Sequence, residues 1–591
     1  MTENIYNLTK NSVKNFKDRC AIYSLKKSCV ETLSYEKLME EVHSLARGMI
    51  NFGVSPGDRV IILSENRTEW YVAILAISLT GAVAVPLYTT ASNSQLEYII
   101  HDSGASFGFI SKLSHYNKIA SVAEKLFIKS VLFDYDPAKK TEYSNITAIE
   151  HFKDDRKMVR DPGTSLLAKP EEPAVLIYTS GTTGEPKGVI LTHENITSNV
   201  KMLQPVVGSL SELRYLSLLP LSHAYEFTVI QTLFSLGGTI IPVSHMARVV
   251  DYIQETSPTV SCAVPRLFEK IYHTVLRNVE NSSLLTRKMF ENGMAVGDKI
   301  YRLIEKNETI PFPENIKYIF YRKLVFEKIR QKTISSIKLF ISGGAALMPE
   351  ISRFFNILGT TIVEGYGITE CSPVVSVNMP DNRDTGTVGP PLKGVDILIK
   401  NNGELCVKGK NVMKKYWKKP EATSAAFDEN GYFRTGDIAI WTDNKKLKII
   451  GRIKDIIVMA NGKNVSPLKI ENALKSDPLI DAVCVMGDEK KYLTALIVPD
   501  MEELKKHAEK KEFHFKDEND LINHPGILSF FDRKVQEVNR IVEHHEKIRK
   551  YRIINDNFSV ETGELTPTLK IRRQNVLKKY RHIFEELYEV S

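Results

Sequence analysis

Two short apolar runs, residues 174–177 and 188–191, are joined by Tyr178-Thr179-Ser180-Gly181-Thr182-Thr183-Gly184-Glu185-Pro186-Lys187. Each run has the length and composition of a buried strand, so the chain must leave one strand, form a loop of small residues and return as another. His193-Glu194-Asn195 then leads into a helix. Glycines and hydroxylated residues in such a loop let backbone N–H groups and side-chain hydroxyls converge on an anion with no Cβ in the way. Lys187 adds one movable positive charge. The stretch is not a Walker A loop, because Gly188 follows the lysine where Ser or Thr is required. In isolation it would be an ordinary flexible turn. Its length, residue order and flanking strands make it a phosphate-binding loop.

The surrounding chain repeats the same alternation. Ser34 stands before Leu38, Val42, Leu45 and Met49, the pattern of a capped amphipathic helix. Pro56-Gly57-Asp58 closes it, and a strand over 59–63, a helix over 69–79 and a strand over 83–87 follow. Helices alternating with short apolar strands predict an α/β architecture with largely parallel sheets. A chain of 591 residues is long enough for several domains or subdomains. Its 43% hydrophobic and 25% charged residues exclude a disordered chain. The longest apolar run, 72–87, is broken by Ser78, Thr80, Gly81 and Pro86 and falls short of a membrane span. A net charge of +8 in so long a chain favours anionic ligands weakly and predicts no nucleic-acid partner. The cysteines at 20, 29, 262, 371, 406 and 484 show no metal-ligand spacing, and together with an N-terminus unlike a secretory signal they predict a reducing, cytoplasmic setting.

Further motifs supply polar groups at turns. Ser342-Gly343-Gly344-Ala345-Ala346 ends an apolar run and lets a planar base or an acyl chain lie close to the backbone. Glu364-Gly365-Tyr366-Gly367-Ile368-Thr369-Glu370 begins like a dinucleotide fingerprint, but Glu370 stands at the third glycine position and removes that reading. Its side chains suit other work: Tyr366 to stack on a base, Thr369 to donate to a phosphate, Glu370 to hold Mg2+. Asp437 follows a turn and can accept from both hydroxyls of a ribose. No G-x-S-x-G elbow or H-E-x-x-H pair is present, so no protein nucleophile of those kinds is expected.

The stretch 178–189 resembles the phosphate loop of the acyl-adenylate-forming (AMP-binding) superfamily, and the chain from about Thr32 to Arg573 is similar to its long-chain fatty acid–CoA ligase branch. The resemblance implies a large N-terminal domain, 1–453, of α/β subdomains plus a small β-barrel-like subdomain, and a smaller mobile α+β C-terminal domain, 454–591. It implies ATP, Mg2+, a fatty acid and coenzyme A as the bound groups. Nucleotide contacts would come from Thr179, Ser180, Gly181, Thr182, Thr183, Gly184, Lys187, Gly344, Ala345, Glu364, Gly365, Tyr366, Gly367, Thr369, Asp437, Arg452 and Lys570, with Glu370 on the metal. His223, in Leu219-Pro220-Leu221-Ser222-His223-Ala224, would stand beside the acyl carboxylate, although a lone histidine is more often structural. Lys187, His223, Thr369, Glu370 and Lys570 form the implied catalytic set. Lys454 would be the hinge, and Gly462 and Lys463 would face coenzyme A. A long, charged, mostly helical segment from Pro265 to about Lys332, which shorter members tend to lack, favours the long-chain branch. Cys371 and Lys415 depart from residues usual in the family.

Activating a carboxylate at the α-phosphorus of ATP calls for alignment and charge neutralisation, which this set supplies. Only a short stretch follows Lys570, so the acceptor thiol is expected on coenzyme A or on a separate acyl carrier protein. Medium-chain, aryl and acyl-carrier-protein ligases, and a catalytically silent nucleotide-binding scaffold, remain rivals at this level. Peripheral contact with the inner face of a membrane is left open, as is the oligomeric state.

Overall fold

The computed structural model describes residues 4–26, 29–136, 143–153, 168–179, 185–208, 210–305, 308–559, 562–566 and 571–589. Its larger part is built on two sheets that the described residues make eight-stranded. The first runs Lys415–Tyr416, Lys187–Thr192, Pro173–Thr179, Val83–Leu87, Arg59–Leu63, Phe107–Lys112, Lys129–Asp134, Ile146–Ala148. The second runs Val374–Val377, Thr361–Gly367, Leu339–Ser342, Val260–Ala263, Arg214–Ser217, Thr239–Pro242, Cys20–Leu25, Val30–Ser34. Neighbours pair parallel through the middle of each sheet, as the alternation of helix and strand predicts; antiparallel strands stand at both ends of the second sheet and at the Lys415–Tyr416 end of the first, whose other edge, Ile146–Ala148, pairs parallel.

Two helices reveal how the sheets sit. Thr68–Leu79 buries every residue from Trp70 to Leu79, and Ala224–Ser235 buries every residue from Ala224 to Phe234. A helix buried on all sides needs cover on all sides. One continuous apolar core supplies it, with side chains from both sheets, such as Val60 and Val175 from the first and Tyr215 and Val260 from the second. Helix Tyr35–Asn51 follows its sequence pattern: Ser34 accepts from the Lys37 N–H, and Leu38, Val42, Leu45 and Met49 are buried.

The residues 264–333 form helices Pro265–Glu280, Leu284–Glu305, Phe312–Tyr321 and Glu327–Thr333, the last two joined by a π-helical turn at Arg322–Phe326. The unit expected to be barrel-like is an open antiparallel sheet, ordered Asp396–Ile399, Glu404–Lys408, Phe433–Trp441, Leu447–Arg452. Four strands of this length are too few to curl round and pair first with last.

Beyond it, Ile480–Met486, Leu493–Pro499 and Ile548–Ile553 form a smaller sheet. The two-residue period of its strands divides the apolar side chains between two faces. Val483, Val485, Ala495 and Ile497 pack with helices Pro467–Lys475 and Pro525–Ile541, while Cys484, Leu496 and Val498 meet Val576, Tyr580 and Phe584. The His- and Lys-rich segment after Met501 is helical over Met501–Lys510, Glu518–Ile522 and Pro525–Ile541.

Candidate active site

The antiparallel pair Thr179↔Lys187 closes the loop between the first sheet's two strands, so the loop joins two strands as its sequence predicts. Ser180, Gly181, Thr182, Thr183 and Gly184 lie outside the described residues, as does Lys570. The flank of Lys570 is described: the Arg573 guanidinium donates to Glu471 Oε1 at 2.6 Å in a partly buried ion pair.

At the base of the loop, the Lys187 ammonium stands 5.2 Å from the centroid of the Tyr416 ring. Tyr416 belongs to the two-residue strand that pairs with Val189, and its hydroxyl donates to Glu370 Oε1 at 2.8 Å. Burial and the Glu370 carboxylate both push the Tyr416 phenol upward, which keeps it protonated and a donor. Glu370 sits in the 3-10 turn Thr369–Cys371, and the Met413 N–H donates to its backbone carbonyl at 2.7 Å. Lys187, Tyr416 and Glu370 thus meet although they are far apart in sequence.

A second group forms at the other end of the short segment 366–370. The Tyr366 hydroxyl donates to Asp437 Oδ2 at 2.5 Å, and Arg452 Nε stands 2.9 Å from Asp437 Oδ1. Asp437 and Arg452 are opposite residues in an antiparallel pair, so sheet register fixes the ion pair. Asp437 is only 4% exposed, and its backbone N–H donates to Thr435 Oγ1. The charge-assisted bonds pay for its burial. Glu364 is buried, accepts from the Gly386 N–H at 3.3 Å, and is pushed up to about 7 by burial.

His223 caps helix Ala224–Ser235, its Nδ1 accepting from the Tyr225 N–H at 3.2 Å. The Tyr225 hydroxyl donates to the Ile341 carbonyl, which brings this helix start to the strand leading into Gly343, Gly344 and Ala345. Gly344 and Ala345 are exposed, and Gly365 and Thr369 are half-buried. Lys454 is exposed in the 3-10 turn Ile453–Asp455, two residues after Arg452. Gly462 and Lys463 are exposed in the turn between Ile457–Val458 and Asn464–Val465, where Gly462 takes φ +76°, a backbone that other residues rarely adopt. Among the described residues no hydrogen bond joins Lys454, Gly462 or Lys463 to the Lys187 or Asp437 groups.

Tyr416 is the contact that sequence reasoning missed. A tyrosine in a two-residue strand has no periodicity to announce it, and only the pairing with Val189 carries it to Glu370. Among the described residues no cluster of three or more metal-ligating side chains occurs. The single carboxylate of Glu370 is a donor of the kind Mg2+ takes, since that ion is commonly held by one or two carboxylates together with substrate phosphates.

Residues 9–417 match the AMP-binding enzyme family and residues 454–591 match the AMP-binding enzyme C-terminal domain. The strand-loop-strand and the Glu370 turn thus stand in the first stretch matched to that family, and the paired Asp437 and Arg452 stand between the two matches. The chain belongs to this family. It is 33% identical to the long-chain-fatty-acid–CoA ligase FadD15 of Mycobacterium tuberculosis, covering 93% of this chain and 91% of that one. It is 31% identical to long-chain-fatty-acid–CoA ligase 5 of Rattus norvegicus, covering 94% and 84%. In fold it is similar to the adenylation domain of a carboxylate reductase from Mycobacterium chelonae, with a TM-score of 0.76 at 21% identity over 99% of this chain and 91% of that one.

Proposed function

We infer that this protein is an AMP-forming long-chain fatty acid–CoA ligase. The fatty acid carboxylate attacks the α-phosphorus of ATP, pyrophosphate leaves, and the acyl-adenylate forms. The thiol of coenzyme A then attacks the acyl carbon, giving the thioester, AMP and a proton. The observation that carries the reading is the convergence of Lys187, Tyr416 and Glu370 on one side of segment 366–370, with Asp437 and Arg452 on the other.

Lys187 and the loop 179–184 neutralise the outer phosphates, and Thr369 and Lys570 serve the α-phosphate. Mg2+ bound at Glu370 supplies further charge neutralisation. Asp437, aligned by Arg452 and Tyr366, accepts from the ribose hydroxyls. The hydroxyl bond to Asp437 also fixes the plane of the Tyr366 ring, against which the base stacks, with Gly344, Ala345, Glu364, Gly365 and Gly367 around it. His223 is assigned to the carboxylate side. Lys454 is the hinge between domains 1–453 and 454–591, a division supported by the C-terminal family match beginning at that residue. Rotation there exchanges Lys570 for the Gly462–Lys463 turn between the two steps. On this reading a long-chain acid is taken up by peripheral contact with a membrane surface; among the described residues no helix is long and apolar enough to span one.

AMP formation by the purified protein, measured over acids from acetate to stearate with coenzyme A, tests the reading. Palmitate and oleate should give the highest rates, with thioester and AMP in equal amounts. Preference for acetate or an aromatic acid, or AMP release that ignores added acid, would refute it.

A further inference from the structure

Helix Phe312–Tyr321 carries apolar side chains on both of its faces. The inner face is accounted for: the Tyr318 hydroxyl donates to the Ile357 carbonyl at 2.8 Å, and Tyr321 and Phe326 close on Gly293 of helix Leu284–Glu305. These contacts fix the rotation of the helix about its axis. The outer face therefore stands where it is by construction, and it holds Phe312, 76% exposed, Ile316, 52%, and Phe320, 53%, with Ile319 between them. Their spacing of four, three and one residues is that of a single helical stripe. In the π-helical turn that follows, Leu324 prolongs the stripe outward while Val325 and Phe326 are buried. The ridge extends about 18 Å at the helical rise per residue. A contiguous exposed apolar ridge of this kind marks an interaction surface.

The charges beside the ridge choose the partner. Lys317, Arg322, Lys323, Lys328 and Lys332 are exposed along the same continuous stretch. Its acidic residues are Glu314 and Glu327, and Glu314 is already engaged by Lys299 at 3.1 Å and Lys317 at 3.5 Å. A second copy of the chain meeting this face would set cationic flank against cationic flank, which opposes self-association. Aromatic and aliphatic side chains bordered by lysine and arginine instead match the two zones of a lipid surface, acyl boundary below and anionic headgroups around.

We propose that the outer face of helix Phe312–Tyr321, with its basic border, seats the protein on an anionic phospholipid bilayer. The proposal rests on the reading that the acid is drawn from a membrane, and gives that contact a place. The ridge helix packs on the same apolar core as helix Pro349–Ile357.

Flotation of the full chain with vesicles tests this without turnover. The parent should float with phosphatidylcholine vesicles containing phosphatidylglycerol, less so as salt is added, and not with phosphatidylcholine alone. The Phe312→Ser/Ile316→Ser/Phe320→Ser variant should lose binding by about tenfold or more, as should Lys317→Glu/Lys323→Glu, while both turn over a water-soluble shorter acid at the parental rate. Phe320→Trp, which keeps the ridge apolar, should blue-shift its indole emission on anionic vesicles and so reads the contact even if the triple variant misfolds. Undiminished flotation of a folded triple variant, equal flotation on neutral vesicles, or an indole emission of the Phe320→Trp variant that vesicles do not move would overturn the proposal. So would light scattering that finds a parental dimer broken by the ridge substitutions. Loss of turnover with flotation intact would count against the ligase reading and not against the docking face.

Discussion

Tyr416 keeps two opposite charges apart. Its hydroxyl serves Glu370 and its ring face serves Lys187, so among the described residues the ammonium has a partner and no ion pair that incoming phosphates would have to break. A buried acid away from this group has a different consequence. Glu226 is fully buried on helix Ala224–Ser235, accepting from Tyr215 and Ser217 at 2.6 Å each, and burial outweighs these bonds, pushing it up to about 8. The folded protein therefore holds a proton that the unfolded chain releases near pH 4.5. The stabilisation is complete below about pH 4.5 and is lost as the pH rises toward 8, by an amount on the order of a few kcal/mol. Glu226→Gln removes that dependence. Melting temperatures measured against pH should show the variant gaining on the parent steadily from pH 5 to 8, and a difference that does not change with pH would contradict it. Residues of this sort were hard to read from the sequence: Asp437 and Glu370 could be picked out because they sit at turns with glycines, whereas Tyr416 and Glu226 acquire their partners only through strand pairing and helix packing.

The element that positions the site most tightly is strand Thr361–Gly367 with its following turn. A Cβ at Gly367 would lie 2.2 Å from the Pro373 carbonyl oxygen and 2.8 Å from its carbon, both backbone atoms that cannot swing aside. At Gly365 the nearest atom would be the Ser376 carbonyl oxygen at 3.3 Å. Gly367→Ala should cost about 1–3 kcal/mol and, by displacing Thr369 and Glu370, lower acid-dependent pyrophosphate exchange at least about tenfold. Gly365→Ala should do less on both counts, and equal effects of the two would show that the turn is not held by this contact. At this scale the sequence was legible where a local signal existed. Ser34 and the spacing from Leu38 to Met49 mark helix Tyr35–Asn51, and the apolar runs mark Arg59–Leu63 and Val83–Leu87 with the bounds observed. The apolar run that leads into Ser342-Gly343-Gly344 is observed as strand Leu339–Ser342, which takes in the first residue of that turn. Closure of the small sheet was not legible, because strand number and register are set between strands and not within them.

Across the whole molecule, helix Pro265–Glu280 meets the C-terminal domain through ion pairs. Arg266 stands 2.6 Å from Asp481, Arg277 2.7 Å from Glu503, and Glu280 3.6 Å from Lys510. Such partly exposed pairs contribute about 1 kcal/mol or less each, enough to bias the proposed domain rotation without locking it. Arg277→Glu should slow one half-reaction several-fold relative to the other, and Arg277→Glu/Glu503→Arg should restore the parental ratio. If single and double variants leave the ratio of adenylation to thioester formation unchanged, these pairs do not govern domain orientation. The strand orders carry a further consequence for how the chain is made. Ile22 pairs with Ile240, and Val189 with Tyr416. A nascent chain leaving the ribosome therefore holds its first hairpin, Cys20–Leu25 with Val30–Ser34, without a sheet to join until Thr239–Pro242 has been synthesised, and its phosphate-loop strand keeps an open edge until Tyr416 emerges. Shielding those edges during translation is a demand that the finished enzyme no longer displays.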